Sequence, residues 1–385
     1  MSLLPKRSPG VLLSTMTDRA VAYDLVTETA LQLNATAGQL LALCDGERDM
    51  DAAVDAWAKA SGIGREVISK DVENALSIFT EVGLVGREEW YVGPQRPVGS
   101  NAPAPEGSGV GEAHRVIDYD ISFRSAQPGL VSNIDDFLGT GPDRICNHVG
   151  GSGAEAAIVF DVNEEPSGHV VLVTDYEWDF PSRGAFFDQL TQVMNEYAVW
   201  THSCLALHAG AVRSPDGEIV LLPAPSGAGK STLTGAFMAA GWDYLGDEAI
   251  GVRPGTLDAV GYPKRLSING ESRQLLGLAP NGLSDLDPAE LNAGIDRLCG
   301  DVGPVNRVVL PTYIEAARAT IEDLSVDEAV VEILANTLNL ARSQQAGLSA
   351  ACDLAARVPV QRVVHCDAHT AVALIEDHAR SYRKL

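Results

Sequence analysis

Hydrophobic and polar positions follow two periods in the first ninety residues. Over residues 11–33 they alternate in short runs, which predicts strands at Val11–Met16, Ala20–Leu25 and Thr29–Leu33. The period then lengthens to that of a helix. Asn34 is placed to cap a helix over Ala35–Cys44, and the Asp45-Gly46 pair ends it. Asp49 or Asp51 starts a second helix through Ala60, closed by Gly62. A third helix fits Glu66–Val82, with Val67, Ile68, Val72, Ala75, Leu76, Phe79 and Val82 on one broad face. Gly83 stops it, and Leu84–Val85 followed by Trp90–Val92 reads as a closing β wing. Three strands followed by three helices predict an α+β, winged-helix-like domain over residues 1–92.

Periodicity disappears over residues 93–113, where Gly, Pro and Ser fill 11 of 21 positions. Such a segment is a flexible linker. Beyond it, Asp118–Phe123, Ala156–Asp161 and His169–Thr174 read as strands and Phe186–Trp200 as a helix. These predict an α/β accessory lobe over 114–204, packed on the sheet of the domain that follows. In that last domain, 205–385, an apolar strand at Ile219–Pro223 leads into a helix from Lys230 to Ala240, with Leu233, Ala236, Phe237 and Ala240 on one face. Two further helices are expected at 325–341 and 346–357. The run His365-Cys366-Asp367-Ala368-His369 has metal-ligand residue types, but its place between an apolar run and a helical one makes it a strand end.

Charge narrows the partners. With 28 Lys+Arg against 52 Asp+Glu, the 385 residues carry a formal net charge of −24. A field of that sign repels nucleic acid and anionic membrane surfaces, so neither is expected as a partner. Residues 1–92 hold 8 Lys+Arg and 14 Asp+Glu, a net of −6, and the third helix offers only Lys70 after Arg65. DNA binding, the usual work of a winged helix, is therefore not expected. No apolar run approaches the ~18 residues of a membrane span, and no signal peptide is expected. Six cysteines stand far apart without a Cys-x-x-Cys pair, which predicts neither a disulfide framework nor a zinc site and fits a cytoplasmic chain.

The segment Ala224-Pro-Ser-Gly-Ala-Gly-Lys-Ser-Thr232 carries the clearest chemistry. Strand, glycine loop and helix form the context of a phosphate-binding P-loop. Ser226, Gly227, Ala228 and Gly229 let the backbone wrap a phosphate with its N–H groups, and the helix N-terminus adds positive potential. Lys230 is expected to reach the outer phosphates of ATP, Ser231 to hold Mg²⁺, and Thr232 to complete the cradle. Ala224 stands where the motif has its first glycine.

His208 lies 22 residues before Lys230 in an apolar strand, and Asp247-Glu248 begin 17 residues after it. This layout resembles the HPr kinase family of bacterial protein serine kinases, and most of all the HPr-kinase-like proteins that accompany peptide biosynthesis, which share a Gly261-Tyr-Pro-Lys264 segment. The resemblance covers roughly 205–270. It implies an α/β P-loop fold, an oligomer, ATP with Mg²⁺, and catalysis by Lys230, His208, Asp247 and Glu248. One carboxylate would take the acceptor's proton and Asp247 would share the metal with Ser231; spacing does not divide those roles. Lys264 and Arg265 are expected to line the phosphate or acceptor site. The family usually has two aspartates where this chain has Asp247-Glu248. Its downstream arginine-glycine signature has no counterpart here, so transfer toward the acceptor is expected rather than phosphorolysis.

In the N-terminal domain, Leu33-Asn34-x-Thr36-Ala37, Cys44-Asp45-Gly46-Glu47 and the Glu81–Val85 end resemble the PqqD-type domain found with enzymes that modify ribosomal peptides. That resemblance implies a leader peptide bound by strand addition, at Leu31 and Leu33 on the third strand and Val72 and Leu76 on the third helix. Together the two resemblances imply a kinase that phosphorylates a hydroxyl of a ribosomally made precursor peptide. Nucleotidyl transfer, ATP hydrolysis coupled to another modification, and a non-catalytic nucleotide-sensing scaffold are the alternatives.

Overall fold

A computed structural model describes residues 3–88, 100, 103–104, 106–138, 156–174, 176–201, 203–262, 264–279, 285–292 and 294–382. The expected strand at Trp90–Val92, most of the expected linker, Cys146 and Pro263 lie outside the described residues. The chain divides into two compact units: Met1–Pro94 with Gln344–Cys352, and Gln95–Ser343 with Asp353–Leu385.

The first unit opens with β1 (Val11–Thr15), β2 (Arg19–Asp24) and β3 (Thr29–Asn34), an antiparallel sheet in that order. Three helices follow: α1 (Ala35–Leu43), α2 (Met50–Ser61) and α3 (Arg65–Glu81). Their ends follow local chemistry. Asn34 and Asp49 cap α1 and α2 by accepting the N–H of Ala37 and Ala52, and Gly62 closes α2 in the left-handed conformation. Leu40, Leu41, Val54, Val72, Phe79 and Leu84 are buried together with Val11 and Ala22. Val85 does not belong to a wing strand; it makes a single bridge to Arg7.

The second unit is a mixed α/β body with several sheets. Its first part holds β4 (Gly109–Val110), β5 (His114–Val116), β6 (Tyr119–Ser125), α4 (Pro128–Leu138), β7 (Ala156–Glu164), β8 (Val170–Val173), β9 (Glu177–Phe180) and α5 (Arg183–Ala198). Alternate residues of β6 are buried, and Phe123 meets Phe160 edge to face at 5.6 Å.

The chain continues through β10 (Leu205–Leu207), β11 (Ala209–Arg213), β12 (Ile219–Pro223), α6 (Lys230–Ala239), β13 (Asp243–Gly246), β14 (Ile250–Val252) and β15 (Asp258–Gly261). Next come β16 (Leu266–Ser267), α7 (Gly270–Leu275), β17 (Asp285–Leu286), α8 (Pro288–Leu291), β18 (Gly300–Pro304) and β19 (Arg307–Tyr313). The last elements are β20 (Thr320–Asp323), α9 (Val326–Ala335), α10 (Leu340–Arg357), β21 (Val360–His365) and α11 (Ala368–Tyr382).

Two sheets organise this region. One has the order β10-β14-β15-β18, and the other β13-β11-β12-β19-β21-β20. The accessory lobe was expected to pack on the sheet of the glycine loop. Its core instead runs into Ala206 and Val260 of the four-stranded sheet and Tyr262 just after it. The core of the six-stranded sheet is separate, with Val220, Leu222, Leu233, Phe237, Val309 and Ile375 between the strands, α6 and α11. The helix expected over 325–341 ends at Ala335, because Leu338 donates its N–H to Ala206 in β10 and Thr337 bridges Leu207. Cys44, Cys204, Cys352 and Cys366 are free thiols, whereas Cys299 is disulfide-bonded, against the expectation of none. Among the described residues no helix is long and apolar enough to cross a membrane.

Candidate active site

β12 is the hub of the site. It pairs antiparallel with β11 on one side and parallel with β19 on the other, and β19 pairs parallel with β21. The C-terminal ends of β12, β19 and β21, the N-terminal end of β11 and the C-terminal end of β13 therefore meet along one sheet edge. Ligands of open α/β sheets bind outside the carboxyl ends of the strands.

The glycine loop leaves β12 at that edge. Gly229 has φ +86°, a conformation that side chains other than glycine seldom adopt, and α6 begins at the next residue. Ser226 and Gly227 are exposed and Ala228, Ser231 and Thr232 half-buried. Lys230 is only 7% exposed, and its ammonium makes no hydrogen bond or ion pair among the described residues. Burial holds its pKa below the ordinary lysine value; Asp247 and Glu248 oppose that shift, and Lys264 adds to it. An unpaired buried cation is costly in a folded chain, and the N-terminus of a helix adds a positive potential of the kind that suits an anion.

His208 stands at the break between β10 and β11, so that the expected single strand is two, one in each sheet. Its backbone is tied on both sides: its N–H donates to the Asn336 carbonyl at 2.8 Å, and its carbonyl accepts from Ala224 at 3.3 Å. The imidazole Nε2 lies 3.8 Å from Glu248 Oε1. Burial first, then the Lys230 charge, lowers the His208 pKa, while Glu248 and Asp247 pull it the other way.

Adjacent strand residues point to opposite faces, so Asp247 and Glu248 share a site only where a strand ends. β13 does end at Gly246, whose φ is +153° and where a Cβ would meet the Tyr262 carbonyl oxygen at 2.8 Å. That close passage brings Lys264 onto the acidic pair. Asp247 is fully buried; it accepts from Tyr244 Oη at 3.1 Å, the Ser267 N–H at 3.1 Å and Lys264 Nζ at 2.9 Å. Lys264 also donates to Ser267 Oγ and the Arg265 carbonyl. Glu248 differs. Its side chain is 34% exposed, with Lys264 Nζ 3.8 Å from Oε2. Arg265 turns away, donating to the Phe137 carbonyl at 3.3 Å with its guanidinium over the Phe137 ring. Of the two basic residues expected to line the phosphate or acceptor site, Lys264 thus lies against the acidic pair and Arg265 against Phe137.

On the other flank the loop meets Tyr313 and His365, which end β19 and β21. The expected strand end at His365 is the observed one, and among the described residues no group of three His, Cys, Asp or Glu is disposed to hold a metal. The sequence offers His365 only as part of a run of metal-ligand residue types read as a strand end; a polar residue closing an apolar run is too common a signal to mark a place beside the glycine loop.

In the first unit, β3 is a sheet edge that among the described residues pairs only with β2. Leu31, Leu33 and Leu76 are half-buried, and Val72 is 3% exposed. A cavity of about 320 Å³ opens beside them between α1, α2 and α3, lined by Asn34, Ala37, Trp57, Ile68 and Val72 among others. Val72 reaches it, but Leu31, Leu33 and Leu76 are not among its lining residues.

Comparison with known proteins decides the nature of this part of the chain. Residues 19–85 match the family described as Coenzyme PQQ synthesis protein D (PqqD). They are a PqqD domain. It comprises β2, β3 and all three helices, and thus both the open edge and the cavity. Among solved structures the chain is similar to the Hpr(Ser) kinase/phosphatase from Coxiella burnetii, with 12% identity, 46% of this chain and 98% of that chain covered, and a TM-score of 0.26. No curated protein sequence matches the chain.

Proposed function

We propose that the chain is an ATP-dependent kinase that phosphorylates a hydroxyl side chain of a ribosomally made precursor peptide captured by its PqqD domain. The observation that carries this reading is Lys230: a side chain only 7% exposed, without a hydrogen bond or ion pair among the described residues, at the start of a helix and on the same sheet edge as a partly exposed carboxylate and a histidine. Phosphoryl transfer asks for this combination of positioning, positive charge and an acceptor base.

The division of labour follows from the surroundings. The loop N–H groups and Lys230 hold the outer phosphates. Glu248 has lone pairs free to take the acceptor's proton. His208, on one carboxylate oxygen, and Lys264, near the other, fix its orientation. Asp247 is fully buried and already accepts from three donors, Lys264 among them, so it serves as the anchor of Lys264 rather than as base. Mg²⁺ commonly takes one or two carboxylates along with substrate phosphates. The Ser231 hydroxyl and the Glu248 carboxylate fit such a cation. Asp247, expected to share it, fits poorly with an ammonium at 2.9 Å. Mg²⁺ supplies charge neutralisation on the transferring phosphoryl group.

A substrate delivered by the PqqD domain reaches the site within the same chain, which raises its effective concentration to about millimolar for a short flexible tether. Lys230→Met tests the reading. It removes an unpaired buried charge, so the thermal midpoint should hold or rise while ATP-dependent peptide modification is lost, the signature of a residue kept for function. Full activity in folded Lys230→Met would overturn the assignment.

A further inference from the structure

A second cavity, of about 170 Å³, adjoins the glycine loop on the flank away from the acidic pair. Gly227, Gly229 and Thr232 form one wall, Glu271, Ser272 and Leu275 of α7 another, and Tyr313, His365, Cys366 and Ala368 the third. Its chemistry is the reverse of a phosphate site: the lining holds a carboxylate and no lysine or arginine. It has large apolar faces at the rim, since Leu275 is 51% and Tyr313 44% exposed. It also has polar groups without partners. His365 is 2% exposed, and neither ring nitrogen has a hydrogen-bond partner among the described residues. A Cβ on Gly229 would lie 3.6 Å from His365 Cε1 and Nε2, so that edge of the ring faces the loop. Leaving a buried polar atom unpaired costs about 1–3 kcal/mol, and a bound molecule that completes the pocket relieves such a cost.

We propose that this cavity seats the nucleoside of the nucleotide whose phosphates lie on the glycine loop. The inference rests on the phosphate-site reading of that loop. The sheet fixes the direction: β11, which His208 precedes, and β13, which Asp247 and Glu248 follow, lie on one side of β12, and β19 and β21 lie on the other. A triphosphate laid across the loop with its reacting end at Glu248 has its nucleoside end at Tyr313 and His365. A flat base suits the Tyr313 and Leu275 faces. The Glu271 carboxylate and Ser272 hydroxyl offer acceptors for ribose hydroxyls, and a carboxylate there repels a phosphate.

Titration calorimetry on the full chain with Mg²⁺ distinguishes the two claims, using ATP and inorganic tripolyphosphate as probes. The expected result is that both bind, ATP at least about tenfold more tightly. Tyr313→Ala and Glu271→Gln, both at exposed positions, should bring ATP down toward tripolyphosphate and leave tripolyphosphate unchanged. His365→Gln should narrow the same gap. If ATP binds no more tightly than tripolyphosphate, or if Tyr313→Ala and Glu271→Gln leave the gap intact, the nucleoside proposal fails while the phosphate site stands. If tripolyphosphate does not bind at all, the phosphate site fails and the proposal falls with it.

Discussion

Asp247 lies wholly out of water under three donors, and the next residue, Glu248, keeps a third of its side-chain surface. The two carboxylates should therefore fail differently. Asp247→Asn leaves the buried Lys264 with only the more distant Glu248 carboxylate, 3.8 Å away, as counter-charge, and breaking a buried pair costs about 3–5 kcal/mol; chemical denaturation should show a loss toward that range. Glu248→Gln should leave stability nearly untouched and slow phosphoryl transfer at least about a hundredfold, the low end for general-base catalysis. Equal stability losses in both variants would contradict the division. Histidine titration gives a second expectation. His208 and His365 both have pKa values lowered by burial, so the unfolded chain binds their protons first as pH falls. Stability from these groups is intact above the ordinary imidazole value of about 6.5 and is lost as pH drops through the window beneath it. Thermal midpoints should fall from pH 7 to pH 5, and His365→Asn should flatten that slope. The glycine loop at Lys230 was legible because strand, loop and helix are consecutive, whereas His208 and the acidic pair were joined to it only by the spacing of a resembled layout. The pairing of Lys264 with Asp247 was not visible, since it depends on one backbone carbonyl passing over Gly246.

Elements with their own start and stop chemistry were legible. β1 to β3 and α1 to α3 fall within a residue or two of the expected bounds because Asn34, Asp49 and Gly62 are local signals. Elements ended by distant partners were not. α9 stops at Ala335 although Leu338 and Leu340 prolong the apolar period, since 337–338 pair with β10 instead. His208 likewise sits at a strand break that no local residue marks. The PqqD domain invites a test at this scale. Ile68 is half-buried on the cavity between α1, α2 and α3. Ile68→Glu adds a charge beside Asp71 without opening the core. If the peptide is captured beside β3 and α3, precursor affinity should drop at least tenfold while ATP binding is unchanged, by fluorescence anisotropy and calorimetry respectively. Unaltered precursor affinity would move peptide capture away from this face.

At the scale of the molecule, the sequence shows a division near residue 93, but not that residues 344–352 are grouped with the first unit or that the region after residue 204 is split between separate four- and six-stranded sheets. Both come from long-range contacts that leave no mark in a local period. A net charge of −24 repels a nucleotide at a distance, so Lys230 and the helix end form a local exception to the overall field. A tethered receptor makes one further demand. A leader segment supplied as a separate peptide should inhibit modification of the intact precursor, and a precursor stripped of its leader should be modified poorly. Phosphoryl transfer itself is tested most directly by following isotope from ATP labelled at the γ- or the α-phosphate into the precursor peptide. Label arriving from the γ position alone, and absent with Lys230→Met, is the predicted result. Label from the α position would show nucleotidyl transfer instead, and γ label released only as free phosphate would show hydrolysis; either contradicts a peptide kinase.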